Sequence, residues 1–436
     1  MGHMHGTEQA YTLLRKRLTQ KVQGASDSPT LMKILSMLYS PDEADLARRL
    51  PHNLTSLDTL SKSLEIPETE LRKKLTDMAH RGVVVDIEHD GQSYYTLPPV
   101  VIGLFELTFM RMRPDMPMKE LARLFEEYFY EKNADFTRTI LKNKTPMFGT
   151  LVREEAIPKD AFTEVLDWER ATRIVSSATA IAVGICQCHH IAQHTGQACN
   201  KPQEICLSFN FVAESLARNG IARSITKAEA MTILARSKET GLAQTADNVK
   251  NKVTFICNCC GCCCQVMKGI KALDHRPGII TSNFIADIDR SLCKGCGKCA
   301  QACPVEAITI HRRTEGPKEI KWAVRSELAC LGCGICTTVC KSGAASMKSR
   351  PQRVLVPETI FDQRIMMALE RGKLADLIFD NPGKLSHRAL GRILGALEKS
   401  EPLKTVMAAQ SLNSLFVKRL VKAAKKRTGR LANILS

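Results

Sequence analysis

The chain has 436 residues, 62 basic against 45 acidic side chains for a formal charge of +17, 44% apolar and 25% charged residues, and 18 cysteines. This composition excludes a disordered chain, and the longest near-apolar run, Ala178 to Cys186, is about half of the roughly 20 residues that a bilayer-spanning helix needs. Disulfide frameworks belong mostly to short secreted domains. Here the chain is long, its first cysteine is Cys186, and Tyr11 to Arg17 carries charge where a secretory signal would be apolar. The thiols are therefore expected to be reduced, in a cytoplasmic setting, and to serve as metal ligands or redox centres.

The first elements read helix, helix, helix, hairpin. Leu31, Ile34, Leu35 and Leu38 recur at helical spacing, a short helix covers Ser56 to Leu64, and Pro67 opens a third with Leu71, Leu75 and Met78 on one face. Gly82 stops that helix. Val83 to Ile87, the turn Glu88-His89-Asp90-Gly91, and Tyr94 to Leu97 then read as a two-stranded ribbon. This order resembles a winged helix-turn-helix domain. The resemblance raises DNA as a partner, but a recognition helix contacts bases with its N-terminal residues. Here those include Glu68 and Glu70, which repel a polyanion before Arg72, Lys73 and Lys74 contribute. DNA is accordingly not the expected partner, and the domain reads as a docking or structural element. Residues 100 to 180 read as helical, with Leu121, Leu124, Phe125, Tyr128 and Phe129 as a core-packing face.

The cysteines are segregated: residues 1–185 contain none, 186–264 contain ten, 293–340 contain eight, and 341–436 contain none. Cys186, Cys188, Cys199 and Cys206 make a four-thiol set that suits either one tetrahedral zinc or one [4Fe-4S] cluster, with iron favoured by the module downstream. His189, His190 and His194 offer further nitrogens, for which a surface or supporting role is the plainer reading. Thr226 and Glu229 read as a capping box for a helix to about Lys238; Gly241 ends it, and the chain returns toward a second cysteine group, a return that would bring the two groups together. That group, Cys257, Cys259, Cys260, Cys262, Cys263 and Cys264, admits three readings. They are one cluster with spare thiols, an unusual multinuclear cluster shared with the upstream set, or a redox-active thiol pair. Cys259-Cys260-Gly261 is similar to the Cys-Cys-Gly signature of heterodisulfide-reductase-type subunits, without the remaining spacing of that signature.

Cys293-x₂-Cys296-x₂-Cys299-x₃-Cys303-Pro304 is followed by Cys330-x₂-Cys333-x₂-Cys336-x₃-Cys340. Gaps of three let successive thiolates converge on one cubane while the fourth is carried away, and Gly295, Gly297, Gly332 and Gly334 suit a tightly wrapped backbone. Residues 286–349 thus resemble a bacterial-type ferredoxin domain with two [4Fe-4S] clusters. The resemblance implies that Cys293, Cys296, Cys299 and Cys340 hold one cluster, and Cys330, Cys333, Cys336 and Cys303 the other. Lys341 stands where the second run would carry proline. The long Cys303–Cys330 connection reads as a hairpin of Ile308 to Ile310 with Ile320 to Val324 around Gly316-Pro317. His311, Arg312, Arg313, Lys318 and Lys321 make it either a docking surface or a solvated loop. Beyond it, Ile365 to Leu377, Ser386 to Leu397 and Leu403 to Val421 read as helices between the breakers Pro382-Gly383 and Pro402. Lys404 to Ser436 has eight basic and no acidic residues, a solvated tail or a patch for an acidic partner or membrane surface.

The expected fold is α+β and multidomain: a winged-helix-like domain at 1–105, a helical connector at 106–185, a mainly helical cysteine-rich domain at 186–285, a ferredoxin-like domain at 286–349 and a basic helical extension at 350–436. The expected function is single-electron transfer between partner redox proteins through two ferredoxin-type clusters and at least one further cluster. No dinucleotide fingerprint and no Walker-type lysine loop occurs, so a flavin or corrinoid would belong to a partner enzyme. Two alternatives stand beside it. One is a reductase with a substrate-binding cluster or redox-active thiols at Cys257 to Cys264; the other is a redox-sensing winged-helix regulator. A cysteine-ligated [4Fe-4S]²⁺ cluster carries about −2, so two to four of them lower the formal charge to roughly +13 to +9. The basic balance is then partly compensation for anionic clusters.

Overall fold

The structure is a computed structural model that describes residues 2–141, 145–157, 167–273, 281–315, 317–351, 354, 356–381 and 385–398. The stretch expected as a third C-terminal helix, Leu403 to Val421, the basic tail from Lys404, and Gly316, Pro382, Gly383 and Pro402 lie outside the described residues. The chain divides into two compact units that interleave in sequence. One comprises Met1–Thr145, Phe211–Ser224 and Pro357–Ser436; the other comprises Pro146–Asn210 and Ile225–Val356.

In the first unit, Ser28 caps the helix Pro29–Leu38, whose Leu31, Ile34, Leu35 and Leu38 are buried, and a full capping box from Ser40 and Glu43 opens Pro41–Arg49. The helices Leu57–Leu64 and Glu68–His80 follow, the second burying Leu71, Leu75 and Met78 as its periodicity requires. Strands Val85–His89 and Gln92–Thr96 pair antiparallel, and Thr55–Ser56 adds a short third strand beside Tyr94 and Tyr95. Asp90 and Gly91 both take positive φ, 50° and 70°, the turn geometry that follows strand twist in a two-residue hairpin. Asp86 on the ribbon is buried and accepts hydrogen bonds from Ser215, Asn219 and the Arg218 guanidinium. That one carboxylate fastens residues 211–219 to the ribbon. Phe105, Phe125, Tyr128 and Phe129 form the core of this unit, with Phe105 and Phe129 edge to face at 4.9 Å.

The C-terminal part closes on the N-terminal part: Arg17 donates to the carbonyls of Leu50 and Asp380, and Asn53 donates to the Asp380 carboxylate. The pattern read as one helix, Ile365 to Leu377, is two, Ile360–Glu370 and Leu374–Ile378. Gly372 at φ 60° separates them.

The second unit is built on an antiparallel sheet. Its strands run in the order Phe148–Leu151, Ala243–Asp247, Phe255–Cys259, Glu204–Phe209 and Ile181–Ile185. The segment expected as a helical connector therefore supplies two of these strands, and the cysteine-rich segment expected to be mainly helical supplies three. Short β-branched runs such as Ile181 to Ile185 cannot be told from a buried helix segment by periodicity alone, and pairing across the sheet distinguishes them. Thr226 caps the helix Lys227–Glu239 through the Glu229 N–H, and the chain then returns through Ala243–Asp247 to Phe255–Cys259. The last part of the unit pairs Phe284–Ile288 with Ala345–Ser349 and extends a hairpin, Ile308–Glu315 with Lys318–Arg325.

Candidate iron-sulfur centres and a thiol cluster

Each run of four cysteines wraps two glycines, and Gly295, Gly297, Gly332 and Gly334 all take positive φ. Gly297 and Gly334 lead into the short helices Lys298–Ala302 and Ile335–Thr338. At Gly332 a side chain is excluded twice over, by φ 74° and because a Cβ would press on the Phe284 carbonyl and the Ser282 hydroxyl. Backbone amides from outside the wrapped loops are aimed at sulfur: Ala323 donates to Cys293 Sγ at 3.3 Å and Ala307 to Cys303 Sγ at 3.2 Å.

Cys303, Cys330, Cys333 and Cys336 line a single recess whose empty space, including its mouth, is about 350 Å³. Ala286, Val305, Ile308, Leu331 and Ile335 complete an apolar wall. Cys303 of the first run thus lines one recess with three cysteines of the second. Burial, then the neighbouring thiols Cys303 and Cys330, push Cys333 up to about 12; Arg153 pulls the other way. Burial likewise raises Cys303 and Cys336. Thiols that resist ionisation alone become thiolates when a cationic group occupies the recess, so donor set, apolar wall and aimed amides fit an iron-sulfur cluster. In the other set, burial raises Cys299, followed by the thiols of Cys293 and Cys340. Cys296 there is exposed, whereas Cys330 and Cys336 are buried.

Two arginines flank the recess. Arg153, 5% exposed, receives its place from a backbone bond to the Cys333 carbonyl and from guanidinium bonds to Thr338 Oγ1 and the carbonyls of Lys238 and Leu242. Arg350 donates to the carbonyls of Cys330 and Phe284. Neither follows from the cysteine spacing. Arg153 lies far upstream of the motif, and no sequence signal marks it.

The ten upstream cysteines meet as the hairpin return predicts, but in different sets. The register Leu207 to Ile256 places Cys206 next to Cys257 across two strands, and Cys257 and Cys259 share a strand face. Cys186 stands at the N-cap position of the helix Gln187–His194 and Cys264 at that of Gln265–Ala272, so both helix N-termini carry cysteine. Side-chain contacts then run in a row, Cys186 to Cys188 to Cys264 to Cys259 to Cys257 to Cys206. Cys264 is held well below the usual thiol range, first by hydrogen bonds from Cys188 and Cys259 and then by the amides of Met267 and Val266. Cys199 stands apart from this row: with Cys260, Cys262 and Cys263 it forms a quartet whose sulfurs all lie within 4.8 Å of one another. The four upstream thiols are therefore not one tetrahedral set, and the single-zinc reading of Cys186, Cys188, Cys199 and Cys206 is replaced. Local spacing suggested that set; strand register and the loop carrying Cys199 divide it.

His189 and His190 are buried and His194 is half-buried. His189 Nε2 lies 2.6 Å from the Cys199 carbonyl, and His194 Nε2 lies 3.1 Å from His190 Nε2. The turn Cys260 to Cys263 abuts the ferredoxin segment, because a Cβ on Gly261 would stand 2.6 Å from the Pro304 carbonyl oxygen. A family model described as a 4Fe-4S dicluster domain matches residues 292–344. These residues form a ferredoxin-type segment. Together with the cysteine clusters, the match supports an iron-sulfur electron-transfer role. Searches of curated proteins and of solved structures return no match. No described helix is long and apolar enough to cross a membrane.

Proposed function

We propose that the chain passes single electrons between partner redox proteins through two [4Fe-4S] clusters. Cys293, Cys296, Cys299 and Cys340 hold one, Cys303, Cys330, Cys333 and Cys336 hold the other, and the inner row from Cys186 to Cys206 holds at least one further cluster. The observation that carries this reading is the recess that gathers Cys303 with Cys330, Cys333 and Cys336. The clusters supply one-electron chemistry; the chain supplies thiolates, amide donors, an apolar wall and two arginines. The unequal burial of the two sets gives the pair a direction: the exposed Cys296 marks the side where a partner exchanges electrons, and the buried set faces the rest of the chain. The close seat of the Gly261 turn on Pro304 supports continuity between the cysteine-rich segment and the ferredoxin segment.

The N-terminal helices and ribbon, winged-helix-like in order, serve here as a docking element rather than a DNA reader. Glu68 and Glu70 stand at the start of Glu68–His80 and neutralise Arg72 and Lys74 through i, i+4 pairs. Donor and acceptor are proteins, with a flavin or corrinoid enzyme as a fitting class, in a reducing, cytoplasmic and anaerobic setting.

Iron and acid-labile sulfide measured on anaerobically purified protein test the reading. At least about eight of each per chain are expected for two cubanes, and a value near four, or zinc in excess of iron, would sink it. One observation favours a second reading, a reductase: the inner row has more thiols than the four that one cubane uses. Reoxidation of the dithionite-reduced protein by a small disulfide substrate, without a partner protein, would favour that reductase.

A further inference from the structure

The outer quartet has a spacing of its own. Cys199 Sγ lies 3.7 Å from Cys263 Sγ and 4.0 Å from Cys260 Sγ, and Cys263 Sγ lies 3.8 Å from Cys262 Sγ. A tetrahedral ion bound at about 2.3 Å sets its ligand sulfurs about 3.8 Å apart. A cubane places four irons between its ligands and holds those sulfurs roughly 6 Å apart. Bonded disulfide sulfurs stand at about 2.05 Å, so the spacing is no disulfide either. The quartet matches one ion.

The surroundings agree. The Cys199 N–H points at Cys263 Sγ at 3.5 Å and the Cys263 N–H at Cys260 Sγ at 3.3 Å, the donors that a dianionic tetrathiolate uses. His189 anchors the ligand loop through the Cys199 carbonyl.

We propose that Cys199, Cys260, Cys262 and Cys263 bind a single tetrahedral zinc ion that carries no electrons. Four protein thiolates close its coordination shell and leave no open position, the arrangement of a structural site. The ion staples the loop between the helix Gln187–His194 and the strand Glu204–Phe209 to the turn that seats Gly261 on Pro304. It thereby fixes both ends of the frame around the inner thiol row. Zinc sits beside iron in this chain without belonging to the electron path.

Elemental analysis and zinc-edge X-ray absorption on the anaerobically purified full chain test this without any variant. About one zinc per chain with four sulfur neighbours at about 2.3 Å is expected. Nitrogen or oxygen neighbours, or no zinc, would overturn it. A single iron in its place, seen as a mononuclear high-spin ferric signal after oxidation, would overturn it as well. The double variant Cys260→Ser/Cys263→Ser should lose the zinc while the reduced-state paramagnetic signals of the ferredoxin-type clusters persist. Loss of about four irons instead would assign the quartet to a cluster. Zinc and iron are counted separately, so failure here is distinguishable from failure of the electron-transfer reading.

Discussion

The backbone N–H of Arg153 donates to the carbonyl of Cys333 at 3.2 Å, and its buried guanidinium stands beside the thiols of Cys333 and Cys336. A fixed positive charge there stabilises the more negative, reduced state of a cluster in the recess, so it raises the reduction potential. Arg153→Gln should lower the potential of that cluster by about 40–90 mV, the equivalent of about 1–2 kcal/mol for one electron. Arg153→Lys keeps the charge and should keep most of the potential. Redox titration followed by electron paramagnetic resonance separates the two variants, and equal potentials would assign Arg153 a packing role only.

Gly332 tests the ligand assignment of the recess. Gly332→Ala forces a Cβ against the Phe284 carbonyl at a φ of 74°, so the loop from Cys330 to Cys336 cannot keep its wrap. The variant should lose about four irons and about four sulfides per chain and retain the cluster of Cys293, Cys296, Cys299 and Cys340. Gly343→Ala is the control, because its φ is 68° but nothing lies within 4 Å of the added Cβ. It should keep full metal content at a strain cost of about 1–2 kcal/mol. Equal iron loss in both variants would remove the argument.

Glu106 makes stability fall with rising pH. It is half-buried in the helix Phe105–Phe109, accepts the Gly103 N–H at 2.6 Å, and desolvation raises its carboxyl to about 7. The unfolded carboxyl titrates near about 4.3, so between that pH and about 7 the folded chain holds a proton that the unfolded chain has released. The folded state is progressively disfavoured across that window, by roughly 3–4 kcal/mol once pH exceeds 7. Glu106→Gln should therefore melt above the parent protein at pH 8 and beside it near pH 4.5. An identical offset at both values in thermal unfolding would refute the buried proton.

The helix Glu68–His80 should contribute nothing to duplex affinity, since the side chains at its start are acidic and two of its cations are paired. Replacing Arg72, Lys73 and Lys74 by alanine should leave binding to random duplex DNA unchanged within about twofold at low salt. A tenfold or larger weakening in fluorescence anisotropy would give that helix to nucleic acid after all.

Much of the local structure was legible in the sequence because local physics decides it. Leu71, Leu75 and Met78 at helical spacing, Asp90-Gly91 between strands, and Thr226 before a helix each name their element without tertiary help. The ferredoxin-type segment was legible for the same reason, since each run of four cysteines wraps locally around two glycines. The ten upstream cysteines were not sorted by spacing. Cys199 meets Cys260, Cys262 and Cys263 across more than sixty positions, and Cys206 meets Cys257 through strand register. Arg153 reaches the recess from about 180 positions before Cys333. Contacts of that range carry no periodicity to read.

The interleaving of the two units has a consequence for how the chain is made. Synthesis proceeds from the N-terminus, and domains fold as they emerge. The last cysteine, Cys340, and the end of its unit at Val356 are both translated before Pro357, which opens the final segment of the other unit. Every residue of the cysteine-bearing unit is therefore translated while the first unit still lacks Asp380, the residue that receives Arg17 and Asn53. A chain truncated after Val356 would keep every cysteine and lack the residue on which the N-terminal part closes.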